Sequence, residues 1–123
     1  MRLITALALG LSLVVGAFAQ NPADLKTKKA EMTKLEATYK RAKAAGEKAK
    51  PGTPKQKAYI DATVAYGNCV LVSPLLTPKD KYPKALSLYR EALKLDPKNK
   101  VALENKNMIE QIYKSMNRPI PKG

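Results

Sequence analysis

Apolar residues recur along residues 22–116 at intervals of three, four and seven, the rhythm of α-helices buried along one stripe. No stretch alternates apolar and polar positions for long enough to predict a strand. The first predicted helix runs from about Pro22 to Lys50, where Leu25, Met32, Leu35, Tyr39, Ala42 and Ala49 share a face and lysines take most of the rest. "PGTP" at 51–54 breaks the chain, and Thr53-Pro54 supplies an N-cap and a first-turn proline for the next helix. That second helix, about Pro54 to Leu71, is expected to be central and most buried, because Asp61 is the only charge between Ala58 and Pro78. Asp61, Gly67, Asn68 and Pro74 interrupt the run, which makes it a poor membrane span. "VSPLLTPKD" follows as a loop. The third helix is expected over about Tyr82 to Leu95. The fourth covers about Lys98 to Met116, on a stripe of Val101, Asn105, Met108, Ile109, Ile112 and Met116. "NRPIPKG" ends the chain as an extended, mobile tail.

The third segment is the most specific. Ala85, Tyr89 and Ala92 fall on one helical face, with Leu86 and Leu93 beside them, and Asp96-Pro97 stops the helix. Alanines at this spacing let a neighbouring helix come close while Tyr89 fills the gap between them.

The ends and the composition narrow the class. Residues 1–19, "MRLITALALGLSLVVGAFA", place Arg2 before an apolar run and the small-residue exit Ala17-Phe18-Ala19, the layout of a secretory signal peptide. The expected product begins at Gln20, soluble in a periplasm or outside the cell, with no transmembrane span after processing. Residues 20–116 suit one helical domain, followed by the tail at 117–123. The formal charge of +13, one unit of it from Arg2, favours polyanions. The excess is nonetheless divided between 24–57, with 11 basic and 4 acidic residues, and 79–122, with 11 and 5. Weak polyanion binding fits this spread, and specific nucleic-acid recognition is not expected. With no histidine and only Cys69, neither a zinc site nor a Cys-His or Ser-His pair can be assembled. Cys69 sits in an apolar helical run and is expected to be a small core residue, although an unpaired cysteine can also link two chains. No cofactor or metal is expected, and the chain is not expected to be an enzyme.

Tyr82, Ala85, Tyr89, Ala92 and Asp96-Pro97 resemble the second helix and exit of a tetratricopeptide repeat. Counting back across the loop, "AYGN" at 65–68 resembles the leucine-glycine pair of the first helix, with Tyr66 in place of the leucine. "KVALENKNMIEQIYKSM" resembles the first helix of a following repeat used as a polar cap. The resemblance covers about residues 60–116. It implies an all-α, four-helix antiparallel stack whose inner face takes extended peptides or partner helices. By position, that face carries Asp61, Val64, Asn68 and Leu71 of the second helix and Val101, Glu104, Asn105, Met108 and Gln111 of the fourth. Asn68 and Asn105 are similar to the asparagines with which peptide-clamping members hold backbone and terminal carboxylate. Val64 replaces the lysine those members carry one turn earlier.

Two functional readings stand. One is an exported interaction module, scaffold or adaptor, that binds a peptide or partner helix in this groove. The other is a cationic envelope protein whose lysines hold an acidic polymer or lipid head groups. A homodimer joined through the first helix or Cys69 is compatible with either.

Overall fold

The computed structural model describes residues 21–122. Four helices follow one another: α1 (Pro22–Gly46), α2 (Pro54–Val72), α3 (Pro78–Leu95) and α4 (Lys100–Ser115), with no strand among the described residues. Short connections turn each helix back on the one before it, and the main packing joins chain neighbours: α1 to α2, α2 to α3, α3 to α4. The architecture is therefore an all-α antiparallel stack, with α2 packed between α1 and α3. The leader expected over residues 1–19 lies outside the described residues. Among those described, no helix is long and apolar enough to cross a membrane.

Local chemistry explains most of the helix ends. Asn21 Oδ1 accepts the Ala23 amide at 2.9 Å, Thr53 Oγ1 that of Gln56 at 3.4 Å, and Asn99 Oδ1 that of Ala102 at 3.0 Å. Pro22, Pro54 and Pro78 sit in the first turns of α1, α2 and α3, where a missing N–H is harmless. Asp96 closes α3 as expected, its carboxylate accepting the Lys98 amide at 3.2 Å.

Two boundaries differ from the sequence pattern. The first helix stops at Gly46 instead of about Lys50, because Pro51 bars Lys50 from helical geometry and the chain tightens into a turn, Ala49 N–H on Gly46 O at 3.1 Å. The third starts at Pro78 instead of about Tyr82. Pro78 is preorganised for a first turn, and Pro83 removes one backbone donor without ending the helix.

The core joins α2, α3 and α4. Val70, Thr63, Leu86, Tyr89 and Ile109 are its largest fully buried side chains, and Ala85, Ala92 and Ala102 are also shut from solvent. The alanines of α3 thus lie where neighbouring helices meet. Gly67 of α2 serves the same closeness: a Cβ there would stand 3.0 Å from Tyr89 Cε1. On α1 the expected stripe of Leu25, Met32, Leu35, Tyr39 and Ala42 is partly buried. On α4 the packing face centres on Ala102 and Ile109, while Val101, Met108 and Met116 remain exposed. The tail is extended but docked. Arg90 Nη1 donates to the Pro121 carbonyl at 2.7 Å, and Ile120 packs against the core.

Candidate functional site

α2 and α4 both pack on α3, and the bond between Asn68 and Asn105 brings one face of each together. On α2 this face carries Asp61, Ala65, Asn68 and Val72, spaced three or four apart, of which Ala65, Asn68 and Val72 also line a depression with Lys28, Glu31 and Leu35 of α1. On α4 it carries Val101, Glu104, Asn105, Met108 and Gln111. Val72, at 75% of its full exposure, Val101, at 44%, and Met108, at 45%, are large apolar side chains left to solvent. Asp61 pairs with Lys57 at 2.7 Å and Glu104 with Lys100 at 4.0 Å, both along their own helices. Such exposed pairs contribute little to stability. Gln111 is exposed.

Four of the nine residues read from the sequence have a structural placement as well. Val64 is buried in the core between the helices, and Leu71 is half-buried against it. Asn68 and Asn105 meet. Asn105 Nδ2 donates to Asn68 Oδ1 at 3.0 Å and to the Tyr89 hydroxyl at 3.1 Å, and that hydroxyl donates to Asn68 Oδ1 at 2.6 Å. The buried Tyr89 ring thus holds both amides at fixed positions. Burial pushes the Tyr89 hydroxyl up to about 12, against the bond donated by Asn105, so it stays a neutral donor. Asn68 Nδ2 and Asn105 Oδ1 make no hydrogen bond among the described residues, and neither is a buried polar atom without a partner. A donor and an acceptor are therefore presented to solvent, the complement of a peptide backbone's C=O and N–H.

Sequence reasoning missed a second constellation, on the other side of α2. Both Tyr39 of α1 and Tyr59 of α2 donate to the Glu91 carboxylate of α3, Tyr39 at 2.7 Å, and Lys43 lies 3.4 Å from the same group. Tyr66 donates to Glu36 at 2.7 Å. That bond, ahead of the one from Lys40, holds the Glu36 carboxyl below its ordinary value. These pairs couple residues 30 to 52 positions apart, so no local pattern announces them.

Cys69 is half-buried, not a core residue, and lines a depression of about 360 Å³ with Leu35, Ala65 and Val72. Burial raises its thiol, which disfavours the nucleophilic thiolate. Among the described residues no group of three or more Cys, Asp or Glu is placed to hold a metal ion. Compared with family models, curated proteins and solved structures, the chain matches none.

Proposed function

We propose that this chain is an exported, non-enzymatic interaction module of tetratricopeptide type that binds an extended peptide or partner helix along the α2/α4 groove. The observation that carries the reading is the asparagine pair. Its two amide groups without a partner among the described residues lie on helices that also expose Val72, one turn after Asn68, and Val101 and Met108, about one turn either side of Asn105. Helical repeats use their extended concave faces for binding, and side-chain amides with an open donor and acceptor can pair with a peptide backbone. Support for the tetratricopeptide type comes from the Ala85, Tyr89, Ala92 and Asp96-Pro97 spacing together with the close Gly67 contact on Tyr89. Export is proposed from the leader pattern of residues 1–19.

The test is selection of ligands from a random peptide display library on residues 20–123, followed by affinity measurements on Val72→Glu, Met108→Glu and the double variant. Both positions are exposed, so the fold should tolerate the changes. Selected peptides should bind the wild type at about 0.5 M salt, where screening reaches within a few ångströms, and lose about tenfold or more on the double variant. Peptides indifferent to both substitutions, or released by salt alone, would overturn the groove.

A further inference from the structure

The face of α2 that carries Tyr59 and Tyr66 lies about half a turn from Asn68, and it floors a cleft between α1 and α3. Two neighbouring depressions of about 380 and 360 Å³ open there, both bordered by Ser87 and Glu91. The carboxylates in the cleft are already engaged: Glu91 by Tyr39, Tyr59 and Lys43, and Glu36 by Tyr66 and Lys40. Among the described residues, two lining cations, Lys84 and Lys94, close no ion pair within 4.0 Å, although the Lys84 charge acts at longer range on Glu36 and on the Tyr66 hydroxyl. Lys84 Nζ is held 5.3 Å over the Tyr66 ring, which limits its freedom before any ligand arrives.

We propose that this cleft binds an extended acidic segment of a partner protein, with carboxylates on Lys84 and Lys94 and the intervening residues over Ser87. Ten residues of helix place these lysines about 15 Å apart. An extended chain rises about 3.3 Å per residue, so acidic side chains four positions apart project to the same side at nearly that distance. Glu91 lies between the two lysines and disfavours a third carboxylate, so the segment is acidic at its ends and neutral in its middle. A uniformly charged polymer meets Glu36 and Glu91 in the cleft. A flat lipid surface cannot follow a concave floor. Charge complementarity therefore selects a peptide with spaced acids.

The probe is a fluorophore-labelled, end-capped seven-residue peptide with Glu at its second and sixth positions, Ser at its fourth and Ala elsewhere. Its comparator has the same composition with the two Glu adjacent. Anisotropy titrations at low salt should favour the spaced peptide several-fold. Lys84→Gln with Lys94→Gln should weaken it about tenfold, whereas the equal charge change of Lys50→Gln with Lys98→Gln, at exposed positions outside the cleft, should weaken it less than about twofold. Circular dichroism melts check that both doubles remain folded. Equal weakening by the two doubles, equal binding of the two peptides, or no binding at low salt would each overturn the proposal. Preferential binding of phosphatidylglycerol vesicles or of polyphosphate that depends on the same two lysines would reassign the cleft to a polyanion and overturn it as well.

Discussion

Asn68 and Asn105, 37 residues apart in the chain, are joined at 3.0 Å and both bonded to Tyr89, so that α2, α3 and α4 are tied at a single polar point. In a partly buried setting such a ring of bonds is mutually reinforcing. It holds the two amides at one separation, as two independently solvated asparagines would not be held.

Tyr89→Phe keeps the packed ring and removes the shared hydroxyl. It should lower stability by about 1 kcal/mol, read as a shift of the urea midpoint with unchanged slope. Paired with Asn105→Ala in a double-mutant cycle, it should show a coupling of about 0.5 kcal/mol or more. Additive effects would mean that the three groups do not act as a unit.

Features set by neighbouring residues were legible in the sequence: the Thr53-Pro54 start of α2, the Ala85, Tyr89 and Ala92 stripe, the Asp96-Pro97 stop. Each depends on the backbone chemistry or periodicity of a single helix. The shared face of Asn68 and Asn105 could be inferred from periodicity within two helices, but their bond could not, because it depends on how α2 and α4 sit across α3. The fourth helix shows the same limit. Its stripe contained Ile109 but was broader than the face that packs, since α3 covers only the side bearing Ala102 and Ile109 and leaves Val101 and Met108 outside. Gly46 lies outside the apolar stripe named for the first helix, yet in the fold it is the one buried residue of α1, at a contact with Lys55 and Tyr59 of α2.

That contact predicts the effect of Gly46→Ala. In an isolated helix, alanine stabilises relative to glycine by about 1 kcal/mol. Here the new Cβ would run into the Lys55 carbonyl and stand 2.9 Å from Tyr59 Cβ, and the backbone on one side cannot swing away as a flexible side chain could. A net loss of about 1 to 3 kcal/mol is expected from overpacking. A variant that melts at or above the wild-type temperature would show that α1 and α2 can separate without penalty.

The alanines of α3 give a matched comparison. Ala85 and Ala92 are fully buried, so enlarging either to leucine should cost about 1 to 3 kcal/mol. Lys94 is exposed and in no ion pair among the described residues, and Lys94→Ala should change stability by less than about 0.5 kcal/mol. Thermal melts of the three variants decide it, and coincident midpoints would place the alanines on the wrong face.

Alkaline titration tests the buried tyrosines. Burial raises the Tyr89 hydroxyl from an ordinary value of 10.0 to about 12, and burial followed by the bond to Glu91 pushes Tyr59 up as well. A group whose value is raised in the folded state contributes stability that is complete below its unfolded value and is lost as pH climbs through the folded one. The window for Tyr89 therefore runs from about pH 10 to about pH 12. Other ionisable groups also contribute to stability at alkaline pH, so the wild type alone cannot isolate the tyrosine contribution. The difference between wild type and Tyr89→Phe can, because those groups are common to both. The stability deficit of Tyr89→Phe should be constant up to about pH 10, then shrink and change sign by about pH 12, because ionising the wild-type hydroxyl on unfolding withdraws more than the roughly 1 kcal/mol that hydroxyl contributes. Urea midpoints measured at each pH supply the difference. A deficit that stays constant across the window would show that the Tyr89 hydroxyl ionises in the fold as readily as in the unfolded chain, and that the Asn68, Tyr89 and Asn105 cluster is open to water.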